Sequence, residues 1–355
     1  MKITVSKSII ENILIYAQPF LEKKDTSQIT SHVFIDVNNS NLTIKATDHE
    51  IGFEVKTDKI NIISNGSITA NGKKLLDIIR ILKDGEINLE VKNETLFISQ
   101  AHSNFKLPTF SFNDFPDFPT ANDKGRITID SHSLIESLKK ITPAIDTNNP
   151  KFELNGALID IKQDSINFAS TDTRRLAIVN ISNHSEKELS IIIPKKAIVE
   201  IQKLFFDDIE LFYDDTNLII HSKQYTFFTK LINGKFPEYS RIIPKEIANT
   251  LVLPKAIMID SIKQITTISS DVKITFFQNS IKFESLSDDN IEAKTEINYN
   301  TGFKEPFVIA INSKYLLDFL NSINSSEFSI GLNEGNLPFI LTDGTFKTVV
   351  MPIVI

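Results

Sequence analysis

One arrangement recurs six times along this chain: a short run of alternating apolar residues, a polar break, then an amphipathic helix. Its plainest copy is RITIDSHSLIESLKKI over 126–141. Beside it stand MKITVSKSIIENILIY (1–16), SITANGKKLLDIIRIL (67–82) and SIIIPKKAIVEIQKL (190–204). TLVLPKAIMIDSIKQI (250–265) and FVIAINSKYLLDFLNSI (307–323) complete the set. The starts fall about 60 residues apart, and a fixed period of that kind marks a chain built from stacked copies of one supersecondary unit.

Each copy is followed by further strand-like runs. After the first come Val33–Val37, Leu42–Ala46 and Ile51–Val55, broken by VNNSN and DHE. After the second come Ile87–Val91, Leu96–Ser99 and Phe105–Leu107. Short alternating runs bounded by Asn, Asp and Gly read as antiparallel strands joined by hairpins. Each repeat is therefore β-α-β-β-β, and two repeats make a domain of ordinary size. The longer period supports this: residues 31–55, 155–181 and 270–297 resemble one another, as do 85–110, 207–232 and 326–353. The proline-containing stretches FNDFPDFPTANDKG (112–125) and GKFPEYSRIIPKE (234–246) read as linkers. Three domains follow, 1–119, 120–245 and 246–355, each α+β with two helices packed on antiparallel sheets.

The helices have one apolar face; in 72–83, Leu75, Leu76, Ile78, Ile79 and Leu82 fall opposite Lys73, Asp77 and Arg80. The net charge of −7 argues on its face against a nucleic-acid partner. Its distribution reverses that inference. The helical stretches 7–16, 72–83, 131–141, 195–204, 255–265 and 313–323 hold thirteen Lys and Arg against six Asp and Glu. The positive charge is thus segregated onto the helices of an acidic body. Two readings are open: a basic surface that meets phosphates loosely and in a salt-sensitive way, or lysines that are merely solvated helix faces of a protein-binding repeat.

No apolar run approaches the ~18 residues of a membrane span, and MKITVSKSII has no secretory h-region. With no cysteine, disulfides and thiolate metal sites are excluded. A cytoplasmic location is expected. Catalytic signatures are missing too: no P-loop, no G-x-G-x-x-G, no G-x-S-x-G. The six histidines form no H-x-x-x-H pair, and the acidic pairs Asp207–Asp208, Asp214–Asp215 and Asp288–Asp289 lie at apparent turns. Neither catalysis nor a cofactor is expected.

Two stretches read as binding surfaces. Thr171–Ala177 (TDTRRLA) breaks strand alternation with adjacent arginines beside a small apolar patch. The end, VVMPIVI (349–355), is uncharged and apolar. Pro352 cannot donate to a central ladder, so Ile353–Ile355 should leave the sheet, where they would suit a peptide groove.

Over its whole length the chain resembles the bacterial sliding clamps, the β subunits of replicative DNA polymerase. The resemblance is carried by MKITV, TDHE (47–50), FPDFP (115–119) and LNGALI (154–159). It is most specific in ASTDTRRLA (169–177), IIIPKKAIVEI (191–201), LINGKFPEYSRIIP (231–244) and VVMPIVI (349–355). It implies a head-to-tail homodimeric ring of six α+β repeats, sheets outside and helices lining a central hole, closed around double-stranded DNA without reading its sequence. By matched position, a pocket for short linear motifs would comprise Leu154, Thr171, Thr173, Arg174, Arg175 and Leu176, with Pro237 and Ile242. Val349, Met351, Pro352, Ile353, Val354 and Ile355 would complete it. Its partners would be the polymerase α subunit, the clamp loader, other polymerases and repair proteins. The lining would present Lys73, Lys74, Arg80, Lys139, Lys140, Lys195, Lys196 and Lys263 to DNA. Lys24, Asn149 and Lys151 would reach it from loops. The dimer interface would set Phe105 and Leu107 against Thr267 and Ile268. Thr173-Arg174 stands where the family shows Gly-His, and Thr267 replaces an apolar residue, which should weaken the interface.

Overall fold

The structure, a computed structural model, describes residues 1–25, 27–38, 40–286 and 291–355. The first domain runs β1 (Lys2–Ser6), α1 (Lys7–Ala17), β2 (His32–Asn38), β3 (Asn41–Thr47), β4 (Ile51–Thr57) and β5 (Ile60–Ser64). Its second repeat is β6 (Gly66–Asn71), α2 (Gly72–Ile81), β7 (Glu86–Lys92), β8 (Thr95–Gln100) and β9 (Ser103–Pro108). The middle of the chain gives β10 (Gly125–Ile127), α3 (Ser131–Ile141), β11 (Gly156–Ile161), β12 (Ser165–Thr171) and β13 (Arg175–Ser182). Then come β14 (Leu189–Pro194), α4 (Lys195–Leu204), β15 (Glu210–Tyr213), β16 (Asn217–His221) and β17 (Tyr225–Lys230). The last third supplies β18 (Asn249–Pro254), α5 (Lys255–Thr266), β19 (Asp271–Phe276), β20 (Ser280–Ser285) and β21 (Lys294–Asn298). It ends with β22 (Phe307–Asn312), α6 (Ser313–Ser322), β23 (Glu327–Leu332), β24 (Phe339–Asp343) and β25 (Phe346–Val350).

The six β-α-β-β-β repeats are therefore present, with one addition. β5 has no counterpart among the described residues and pairs antiparallel with β1. Helix ends differ slightly from the periodicity: α2 stops at Ile81, so Lys83 lies beyond it. The acidic pair Asp288–Asp289 lies outside the described residues.

Strands are exchanged between the two repeats of each domain. β1 joins β7-β8-β9, while β6 joins β2-β3-β4. β10 joins β15-β16-β17, β14 joins β11-β12-β13, and the last domain repeats the exchange with β18 and β22. This crossing is why neither repeat can bury its apolar face alone. Four of the four-stranded sets fuse edge to edge in pairs, giving two eight-stranded sheets joined at β4:β17 and at β13:β25.

The chain clusters into two compact units, 1–132 with 196–231 and 133–195 with 232–355. Each contains one of the fused sheets. In the first, the seam carries a run of aromatic rings. Phe20 lies 5.3 Å from Phe53 and 5.9 Å from Phe227, which is 6.3 Å from Phe205. Such ring pairs add ~0.5–1.5 kcal/mol each to their area burial. Gly52 is required there: a Cβ on it would fall 2.0 Å from Phe228 Cε1. In the second unit Phe319 plays the corresponding part, 5.0 Å from Phe346 and 5.8 Å from Phe328.

Helix ends are tied by sequence-local and long-range groups. The Asn71 and Asn312 side chains accept from the Lys74 and Lys314 amides, capping α2 and α6. Three lysines that open helices reach carbonyls in or just beyond the last turn of another helix. Lys7 donates to the Arg80 and Leu82 carbonyls at 3.1 and 2.5 Å. Lys255 donates to Ile323 at 2.6 Å, and Lys195 to Ile145 at 2.7 Å. A cation at a helix C-terminus also meets the negative end of its dipole.

Candidate functional site

β12 and β13 are joined by a turn whose local chemistry is fixed by Thr171 and Asp172. The Thr171 hydroxyl donates to the Arg175 carbonyl at 2.6 Å, and the Asp172 carboxylate accepts the amides of Arg174 and Arg175 at 3.0 Å. Thr173 stands between them with φ +73°. The turn leads straight into the seam with β25, where Arg175 lies opposite Val350 and Leu176 opposite Val349.

Beneath it lies an apolar cluster of Leu158, Ala169, Leu176, Ile178, Ile192, Phe236 and Val349. Ile232, Tyr239, Ile243 and Ile340 pack against it half-buried. The last strand ends at Val350, and the chain leaves the sheet there as Pro352 predicts. The Met351 amide donates to the Arg174 carbonyl at 2.9 Å, Pro352 has no amide hydrogen, and Ile353 turns away to donate to Ala310 at 2.7 Å. Val354 and Ile355 are exposed.

The expected pocket residues thus separate by depth. Leu154, Thr171, Leu176 and Val349 are buried; Pro237, Pro352 and Ile353 are half-buried; Thr173, Arg174, Ile242 and Met351 face solvent. Arg175 is 5% exposed, with three of its N–H groups donating to protein acceptors. Sequence reading missed Phe236 and Tyr239, whose rings meet at 6.3 Å. The signal was present: both linkers carry aromatics at this spacing, Phe115 and Phe118 in one and Phe236 and Tyr239 in the other. Burial, then the nearby Asp160 carboxylate, raises the Tyr239 hydroxyl pKa above the usual phenol value.

Among the residues expected to face DNA, Lys24, Lys73, Lys74, Arg80, Lys139, Lys151, Lys196 and Lys263 are exposed. Asn149 is held by its neighbours, its amide donating to Asn155 Oδ1 at 2.8 Å and its side chain to Asp146 at 2.6 Å. The Lys140 ammonium sits 5.9 Å from the centre of the Phe346 ring. Two lysines are otherwise occupied. Lys196 is paired with Asp48. Lys195 is half-buried between the Ile145 carbonyl and the Thr147 hydroxyl, and this burial, with Lys314 nearby, lowers its pKa. Lys195 is therefore a loop tie and not a free cation.

Of the expected interface residues, Thr267 and Ile268 are exposed and Phe105 is half-buried. Leu107 shares a strand face with Phe105, opposite Leu96, and is buried at 6% exposure.

No group of three His, Asp or Glu side chains able to hold a metal occurs among the described residues. Asp214 instead caps its hairpin, accepting the amides of Thr216 and Asn217 at 2.8 and 2.6 Å. No helix among the described residues is long and apolar enough to cross a membrane.

The scaffold repeats one unit six times, makes two seams within the chain, leaves the repeat-closing strands β9 and β21 unpaired on one side among the described residues, and carries an apolar cluster beside the Thr171–Arg174 turn. It defines a protein of the clamp class. Sequence families narrow this further: the DNA polymerase III beta subunit N-terminal, central and C-terminal domains match residues 1–119, 128–238 and 240–354. The beta sliding clamp of Helicobacter pylori is 39% identical over 352 residues, covering 97% of this chain and 94% of that protein. That of Buchnera aphidicola is 30% identical over 346 residues, covering 94% and 93%. The crystal structure of the Helicobacter pylori beta clamp bound to a DNA ligase peptide superposes with a TM-score of 0.95 at 38% identity, covering both chains in full. This chain belongs to the DNA polymerase III beta subunit family, the beta sliding clamps. It is accordingly a non-catalytic processivity factor of DNA replication.

Proposed function

We propose that two copies of the chain close head to tail into a ring around duplex DNA, tethering the replicative polymerase through a pocket on each copy. The observation that carries this is the bookkeeping of strand edges. Each repeat ends in a strand, and within the chain β4 pairs with β17 and β13 with β25. Of the six strands that close the repeats, only β9 and β21 have no such seam partner among the described residues. They are the remaining members of the two equivalent sets, so β9 of one copy pairs with β21 of the next. A heterologous contact that closes after two copies gives a ring instead of a filament. Phe105, Thr267 and Ile268 flank this joint, and the threonine makes it less apolar.

In the ring the helices face inward. Lys73, Lys74, Arg80, Lys139, Lys140 and Lys263, with Lys24, Asn149 and Lys151 on loops, supply a screened positive lining. Contacts beyond ~8 Å are weak at physiological salt, so DNA stays centred and mobile. Domains spanning 1–119, 120–245 and 246–355 and a cytoplasmic location complete the reading. The clamp stays on closed circular DNA after loading and slides off once the circle is cut; equal retention on both would contradict topological linkage.

The pocket takes short apolar motifs from the polymerase α subunit, the clamp loader and repair proteins. Leu154, Thr171, Leu176 and Val349 form its floor; Pro237, Ile242, Met351, Pro352 and Ile353–Ile355 form its margin. The ligase peptide bound by the related clamp supports this class of partner. Deleting Ile353–Ile355 abolishes peptide binding and leaves the dimer intact; unchanged affinity overturns the assignment.

A further inference from the structure

Arg175 follows the Thr171–Arg174 turn, and its side chain is buried among protein groups. Nε donates to Asp172 Oδ2 at 3.0 Å, and Nη1 to Asp318 Oδ2 at 2.7 Å. Nη2 donates to the Pro143 carbonyl. The guanidinium carbon lies 4.7 Å from the centre of the Tyr315 ring. The side chain is 4% exposed. A planar guanidinium has five N–H donors in a fixed fork; here three are spent inward on three different segments, and the ring covers one face.

We infer that Arg175 is a positioning residue of the partner pocket, fixing the turn against α6 and the exit of α3, and does not touch the bound segment. This rests on the pocket reading given above. The lever is short. The Arg174 carbonyl accepts the Met351 amide, and Leu176 and Val349 face each other across the seam, so a shift of the turn moves both floor and margin. Asp318 matters as much as the arginine. It holds Lys314 at 2.5 Å as well as Arg175, and its loss leaves the guanidinium with one carboxylate. The first domain shows the same device with other residues: its turn presents Asp48 to Lys196 on α4. At the position of Arg175 it has Ile51, whose backbone closes the turn alone.

The test titrates the synthetic ligase peptide seen on the related clamp against full-length dimer, at a temperature where circular dichroism shows every variant folded. Arg175→Gln and Asp318→Asn should each weaken binding roughly tenfold, and the double variant no further, because both break one linked network. Arg175→Lys keeps the charge, loses the fork, and should not restore affinity. If Arg175 touched the peptide, Asp318→Asn would leave binding unchanged or tighten it, and that result overturns the inference. So does unchanged affinity in both single variants. Met351→Ala separates the two readings. If it weakens binding while Asp318→Asn does not, only the positioning role fails; if it also has no effect, the pocket reading fails with it.

Discussion

His49 and Thr173 occupy the same place in matching turns of the first two domains, and both stand in the left-handed backbone region at φ +73°. The surrounding bonds repeat as well. Thr47 donates to the Ile51 carbonyl at 2.8 Å as Thr171 does to Arg175 at 2.6 Å, and Asp48 and Asp172 each accept two amides. Histidine tolerates this conformation; a β-branched residue is a genuine outlier in it. Thr173→Gly should therefore stabilise the chain by roughly 0.5–1 kcal/mol, the relief of left-handed strain less the extra entropy of glycine. His49→Gly should change little. Urea denaturation of both variants checks the contrast.

At the first seam, Gly52→Ala puts a methyl into the Phe228 ring. Overpacking of this kind costs about 1–3 kcal/mol, and Phe228→Leu in the same chain should recover part of the loss. If both single changes and the pair destabilise additively, Gly52 and Phe228 are not in conflict and the packing account is wrong.

The lysines should not be equal in DNA retention. Replacing Lys73 and Lys74 by Ala removes exposed cations and should shorten retention on circular DNA at low salt. Lys195→Ala should leave retention nearly unchanged and lower the thermal midpoint, since its ammonium holds the Ile145 carbonyl and Thr147. Lys196→Ala should lie between, because Asp48 already shares its charge; the half-exposed pair contributes no more than ~1 kcal/mol to stability. Retention time against salt, measured beside thermal denaturation, separates the three.

His32 gives a pH signature. It is buried, its Nδ1 lies 3.2 Å from the Thr69 hydroxyl, and its ring stacks on Phe110 at 4.2 Å. Burial first, and Lys74 second, lower its pKa to about 4. The unfolded chain, with an ordinary histidine near 6.5, binds the proton first as pH falls. The contribution of neutral His32 is therefore complete above pH ~6.5 and is lost on acidification towards ~4, up to about 3 kcal/mol in all. Subtracting the stability curve of His32→Asn from that of the parent should isolate this slope; parallel curves over that window would contradict it.

The repeat pattern was legible because strand and helix periodicity are local: six helices and their following strands fall where apolar spacing puts them. The exchange of β1 and β6 between sheets is not local, since it depends on which free edge each strand meets. β5 was invisible for the same reason: INIIS is short, carries no helix after it, and is placed only by the open side of β1. At the site, the departure of Ile353–Ile355 from the sheet followed from Pro352 alone. That the Arg175 guanidinium is turned inward could not be read from the sequence, because its partners Asp318, Tyr315 and Pro143 lie far from it along the chain. Lys195 likewise looked solvated until its carbonyl partner was placed. Charge can be counted along a chain, but whether a cation is free depends on distant acceptors.

The central claim is closure of two copies through β9 and β21, and electron microscopy of the purified protein at micromolar concentration tests it directly. Rings of two copies with a central hole and a near-sixfold outline are the expected result. Compact particles without a hole, under conditions where the mass corresponds to two chains, would contradict it.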